Sequence, residues 1–260
     1  MHPSRANTPA LSPLLVVGPG RVGGAVARAA NGAGIEARLA GRGELEPAAE
    51  GAETALLCVP DGEIGAACAA VVEAAPALRF VGHTSGATGF DVLEAATGGG
   101  AAGYSLHPLQ TIPDDSAGLL GAPAAVAGST AEALELARQL AEALGMRPFE
   151  IPDGAHAAYH AAASISSNFL VALEESAVEL LHDAGIEGGR ELLAPLVLRS
   201  AANWAEAGGS ALTGPIARGD EATVSRHREA IAETSPELAD LYRVLAERTR
   251  ALAGREEVGA

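Results

Sequence analysis

The sequence predicts an α/β protein in which a doubly wound, mostly parallel sheet is followed by an all-helical region. Three observations carry this. From Leu14 to Ile151 short apolar runs alternate with Ala-rich helical stretches. A glycine-rich turn, Gly18-Pro19-Gly20-Arg21-Val22-Gly23, follows the first apolar run directly and opens the first helical one. After Ile151 the strand-like runs stop. Strands are expected at Leu14–Val17, Glu36–Ala40, Thr54–Val59, Phe80–Thr84, Gly103–His107, Ala124–Ala127 and Arg147–Ile151. The inner runs, such as Leu14–Val17 and Thr54–Val59, are almost continuously apolar, as strands covered on both faces must be. Helices are expected between them at Val22–Gly32, Glu63–Ala75, Phe90–Ala95 and Ala131–Leu144.

Beyond Ile151 the pattern predicts one long helix to Asp183, opened by Pro152 with Asp153 as N-cap and stopped by Gly185. Further helices are expected near Glu187–Ala207, Glu221–Glu233 and Pro236–Ala253. The irregular stretch Gly208–Asp220, glycine-rich within a helical region, is a candidate functional loop. Residues 1–12 read as a disordered tail, 13–151 as a nucleotide-binding α/β domain and 152–260 as a helical domain.

Composition narrows the chemistry. All 17 basic residues are Arg, so lysine-based phosphate binding, Schiff bases and lysine acids are excluded. Against 33 acidic residues they leave a net charge of −16 and no basic stripe, which argues against nucleic-acid binding. Aromatics are 3% and hydrophobics 48%, so the core is built from small aliphatic side chains on closely packed backbones. No apolar run reaches the roughly 18 to 20 residues of a membrane span, and the polar N-terminus lacks a signal-peptide pattern. Cys58 and Cys68 have no metal-ligand spacing and read as reduced core residues of a cytoplasmic protein.

The glycine turn has the context of a dinucleotide site. The first glycine permits the tight turn, the second lets backbone approach a pyrophosphate, and the third lets helix and strand pack. An NAD site carries an acidic residue roughly 20 positions further on, for the ribose 2′-hydroxyl. Here the second strand ends in Gly41-Arg42, which suits a 2′-phosphate, and Arg21 can add to it; the expected cofactor is therefore NADP(H). The alternative is that Arg42 is a solvated charge and Glu44 reads the ribose.

Ligands of doubly wound sheets sit beyond the carboxyl ends of the strands. Val59-Pro60-Asp61 ends the third strand, where a backbone turn can pass beside the nicotinamide ribose, with Asp61 alternatively a helix N-cap. His83-Thr84-Ser85-Gly86 and Ser105-Leu106-His107-Pro108-Leu109 end the next two. Hydride transfer to a carbonyl needs a proton donor and a group that polarises the oxygen, and without lysine the titrating candidate is His. His107 or His160 is the expected donor, with Ser85 and Asn168 bonding the oxygen; each histidine can equally be a structural hydrogen-bonder. His160, Ser164 and Asn168, spaced by four, share a face of the expected long helix. In the Leu212–Asp220 loop, Thr213 and Arg218 are substrate candidates, Arg218 as a carboxylate clamp, while Asp220 can N-cap the next helix.

These motifs, with Tyr159-His160 to Asn168 and Thr213-Gly214-Pro215 through Arg218-Gly219-Asp220 to His227, resemble a two-domain NADP-linked family. Its members join a Rossmann-like half to a helical C-terminal domain of long-unassigned function, and are related to the 6-phosphogluconate dehydrogenase-like superfamily. The resemblance implies reduction of a small, anionic oxo acid or an imine such as a pyrroline carboxylate, with ketopantoate reductase the associated activity, and a homodimer formed through the helical domain. Ser85 and His107 also resemble residues of prephenate and arogenate dehydrogenases, which keeps those reactions open. Many ketopantoate reductases carry Lys-x-x-x-Asn on the long helix, whereas Ser164-x-x-x-Asn168 stands here. The missing lysine leaves open a catalytically silent NADP-binding protein. The reading implies no metal.

Overall fold

The computed structural model describes residues 11–41, 43–114, 118–152 and 154–256, with side chains as far as Gly254. What the sequence leads one to expect of residues 1–10, Arg42 and Asp153 therefore lies outside the described residues.

Seven strands form one sheet: β1 (Leu14–Val17), β2 (Ala37–Ala40), β3 (Thr54–Leu57), β4 (Phe80–His83), β5 (Ala102–Pro108), β6 (Pro123–Gly128) and β7 (Arg147–Glu150). Their order is β2-β1-β3-β4-β5-β6-β7. All neighbours are parallel except β5 and β6, which pair antiparallel from Tyr104 opposite Gly128 to Pro108 opposite Ala124. Because β1 lies between β2 and β3, the chain reverses its direction of winding there, the switch point at which α/β sheets bind ligands.

Helices cover both faces. α1 (Arg21–Gly32) and α5 (Ala131–Ala143) pack on one, while α2 (Leu45–Ala49), α3 (Ile64–Ala74) and α4 (Glu94–Thr97) cover the other. The strands divide residue by residue between the two cores: Leu14, Val16 and Leu56 enter the first, Leu15, Val17 and Leu57 the second. Thr130 caps α5 by accepting the Ala133 N–H at 3.1 Å. α2 was not expected; five residues containing Pro47 show no readable helical period.

The expected long helix is two. α6 (His156–Ser166) ends before α7 (Asn168–Asp183), with Ser167 off helical geometry at φ −123° and ψ −74°. Ser166, Ser167 and Asn168 are consecutive residues whose side chains compete for backbone groups, and they interrupt the ladder. The His160, Ser164 and Asn168 stripe is thus corrected, since Asn168 begins a new helix.

The chain forms two compact units, Met1–Ser164 and Ile165–Ala260, parting within the last turn of α6. The second unit contains α7, α8 (Gly189–Ala207), α9 (Glu221–Thr234) and α10 (Ala239–Glu256). Buried Ser235 donates to the Asp183 carboxylate at 2.8 Å, tying the end of α7 to the corner after α9. Val224, Ile231 and Ala246 are its buried apolar side chains among the described residues. α7 buries none of its residues and α8 only Gly189, leaving Phe169, Val171, Leu192, Leu196, Leu198 and Trp204 more than half exposed.

Leu136→Ala, which empties a fully buried site on α5, is expected to lower unfolding free energy by about 2–5 kcal/mol. Thr130→Ala should cost about 1 kcal/mol. Urea denaturation measures both.

Candidate active site

The glycine turn bridges β1 and α1. Gly18 has φ +106°, and any side chain on it would run into the Cys58 carbonyl at the end of β3; one on Gly23 would meet the Gly18 carbonyl. Gly20 instead has open space where a side chain would stand. It is the N-cap of α1 in extended conformation and offers no side-chain cap. The first-turn N–H groups of a twelve-residue helix are left for a ligand, at the end where an anion is favoured.

Two pockets adjoin this turn. One, of about 600 Å³, is lined by Gly18, Pro19, Gly20, Gly41, Val59 and Pro60, among others. The second, of about 220 Å³, has Arg21, Val22, Thr84, His107 and Gln110 on its walls. The structure therefore brings Gly18, Pro19, Gly20, Val59 and Pro60 together, and separates them from Arg21 and Val22. Arg21 lines the pocket of His107 and donates to the Pro113 carbonyl at 3.4 Å, away from the end of β2. At that end Glu44 accepts the Gly41 N–H at 3.1 Å. Cys58, beside Gly18, is free, and burial pushes its thiol up to about 12.

His107 ends β5 with its Nδ1 2.7 Å from the Tyr159 hydroxyl and its ring edge-on to Tyr159 and to His160, at 5.5 and 6.0 Å between centroids. Gly86 makes room for it, since a side chain there would lie 2.9 Å from Nε2. Burial, and then His160, push the imidazole down to about 4, against Asp61, which pulls the other way. Burial likewise pushes the Tyr159 phenol up to about 12, so it keeps its proton at neutral pH.

Other expected residues are placed differently. His83 is fully buried, with Nε2 3.2 Å from the Gly89 carbonyl and Nδ1 without a partner; burial lowers its pKa. Ser85 is occupied in its own turn: its hydroxyl donates to Thr88 at 2.8 Å and accepts the N–H groups of Ala87 and Thr88. Ser164 is half-buried on α6. Asn168, Thr213 and Arg218 are exposed in the second unit. Asp220 caps α9 by accepting the Thr223 N–H, and the hydrogen bonds with Thr223 hold its carboxyl below the usual range.

Tyr159 was not among the expected site residues. It lies 52 residues from His107, and adjacency to His160 was its one signal. A further groove of about 510 Å³ between α9 and α10 holds Arg228, Glu229, Asp240 and Arg243, charges of both signs on an open surface. Among the described residues no cluster of His, Cys, Asp and Glu could hold a metal, and no helix is long and apolar enough to cross a membrane.

The sheet order, the glycine turn at the switch point and the helical second unit define a two-domain protein with a Rossmann-like first part. Residues 36–108 match the model of the Rossmann-like domain, and residues 122–249 that of a domain of unknown function, DUF2520. The chain thus joins a segment that matches a Rossmann-like domain to one that matches DUF2520. Among curated protein sequences none matches it. Similar solved structures include a candidate NADP oxidoreductase of Bacteroides fragilis, 20% identical over 92% of this chain and 98% of that one, with a TM-score of 0.75. A Thermotoga maritima protein is 23% identical over 94% and 99% of the two chains, with a TM-score of 0.73. A reductive aminase of Aspergillus terreus, in complex with NADPH and ethyl levulinate, is 16% identical over 96% and 99%, with a TM-score of 0.67. At these identities the shared property is the fold.

His107 binds a proton near pH 4 in the folded protein and near 6.5 when unfolded. Between these values the unfolded state holds more protons, so stability falls as pH drops from about 6.5 to about 4 and is unaffected by this group above that window. Urea denaturation across this range should show a steeper fall for wild type than for His107→Gln.

Proposed function

We propose that this protein is an NADPH-dependent reductase that transfers hydride to a small 2-oxo acid, in the manner of ketopantoate reductase. The observation that carries the reading is the glycine turn standing between two pockets, a largely apolar one without histidine and one holding His107. A dinucleotide has this two-part form, with its diphosphate in the middle. The residues fit it: open space at Gly20 admits a diphosphate to the uncapped start of α1, and Val59-Pro60 borders the crevice. NADP(H) rather than NAD(H) rests on Arg42 in the sequence and on the NADPH of the Aspergillus terreus neighbour.

When bound, the nicotinamide supplies the hydride. His107 supplies hydrogen-bonding and proton transfer at the oxygen being reduced, and Tyr159 and Gly86 hold its ring in place. Ser85, committed to its turn, positions the 85–88 loop rather than the substrate. The reductive aminase neighbour favours one second reading, in which the reduced group is an imine. The apolar, unburied faces of α7 and α8 support a homodimer through the helical unit.

A panel of 2-oxo acids and cyclic imines, followed by loss of NADPH absorbance, is expected to identify turnover on an oxo acid. His107→Ala should then reduce kcat/KM by about 100-fold or more. Gly20→Val should keep the fold and weaken NADPH at least tenfold. NADPH binding without turnover on any member would count for a silent cofactor-binding protein. In sedimentation the wild type should run as a dimer and Leu196→Arg as a monomer.

A further inference from the structure

We infer that the small pocket beside the glycine turn is an anion subsite in which Arg21 binds a carboxylate and His107 Nε2–H binds the adjacent carbonyl oxygen of a 2-oxo acid or its amide analogue. This rests on the reductase reading for its biological meaning, but the geometry stands by itself.

Arg21 is the first residue of α1, and its side chain reaches the wall that His107, Thr84 and Gln110 share. Its 3.4 Å contact with the Pro113 carbonyl is at the long limit for a hydrogen bond. It engages one of five guanidinium N–H donors, and a carboxylate takes two in parallel. The start of α1 adds a favourable field for an anion.

The tautomer of His107 follows from its neighbour. The Tyr159 hydroxyl has its hydrogen bond with His107 Nδ1 and no other protein partner among the described residues. Its O–H is satisfied by donating to Nδ1, which places the imidazole proton on Nε2. Nδ1 is thereby closed to substrate. Nε2 is not sealed in protein, and His107 borders the pocket. A cation for a carboxylate and a neutral N–H for a carbonyl, in about 220 Å³, match a short acid carrying an oxygen on its second carbon.

The groups facing His107 are Tyr159, His160, Asp61 and His83. The permanent cation on the pocket wall is Arg21, so the charge of the ligand falls to it. An anion seated there would also ease uptake of a proton from solvent at His107 Nδ1, so that the imidazolium can give its Nε2 proton to the oxygen as hydride arrives and return to the neutral ring.

The test uses oxamate, which carries a carboxylate and an amide carbonyl and is not reduced. Calorimetry on the full chain, with and without NADPH, measures oxamate and NADPH affinities for wild type, Arg21→Gln and Arg21→Lys. The expected result is oxamate binding weakened at least tenfold by Arg21→Gln and less by Arg21→Lys, with NADPH affinity within twofold of wild type. Oxamate should also raise the NMR titration midpoint of His107 by at least one pH unit in wild type and not in Arg21→Gln. Absence of oxamate binding to wild type, or equal binding by Arg21→Gln, overturns the proposal. So does an Arg21→Gln loss confined to NADPH, which would make Arg21 a ligand of the cofactor phosphates. If wild type binds oxamate through Arg21 but takes no NADPH, the subsite stands and the reductase reading fails.

Discussion

The structure depends on one close approach, between the glycine turn and the end of β3. The Gly18 backbone lies where only a hydrogen can face the Cys58 carbonyl, and Gly23 packs as tightly on Gly18. This contact allows β1 to pair with β2 and β3 together and lets α1 start directly at the sheet edge. The same geometry leaves the start of α1 uncapped. Packing and ligand access therefore come from the same absence of side chains, and neither can be improved by adding one.

Around this turn the chemistry is held by burial rather than by charge. Burial disfavours protonation of His107, Tyr159 occupies one nitrogen, and Gly86 leaves room for the ring. An imidazole so placed presents one defined face. Its neighbours at the strand ends serve it indirectly: Ser85 locks its turn through three hydrogen bonds, and His83 bonds the Gly89 carbonyl from inside the protein.

The two units are built on different terms. The first buries apolar residues on both faces of its sheet, with Leu14 and Leu15 pointing to opposite cores. The second has few buried apolar side chains for its length, and the long helices α7 and α8 keep theirs in contact with solvent. Apolar surface on that scale is a drive toward association, because water gains by its removal.

By itself the sequence determined the seven strands of the first unit and the helices α1, α3, α4 and α5 between them, though not α2, because apolar runs and the spacing of Gly18, Gly20 and Gly23 are local signals. It also carried the lysine-free chemistry and the strand-end position of His107. The break at Ser167 was less legible, since apolar periodicity continues through it and the run Ser166-Ser167-Asn168, residue types that favour local bonds to the backbone, is its local signal. Tertiary structure alone decided which strand-end groups face a pocket. Sequence places His83, Ser85 and His107 in equivalent positions, and they part ways through long-range packing: burial closes over His83, a turn consumes Ser85, and Tyr159, distant along the chain, meets His107. Arg21 was legible as a phosphate ligand by its place in the turn, yet its side chain lies on the His107 side. Local spacing specifies backbone; the direction a side chain takes depends on neighbours the local pattern does not contain.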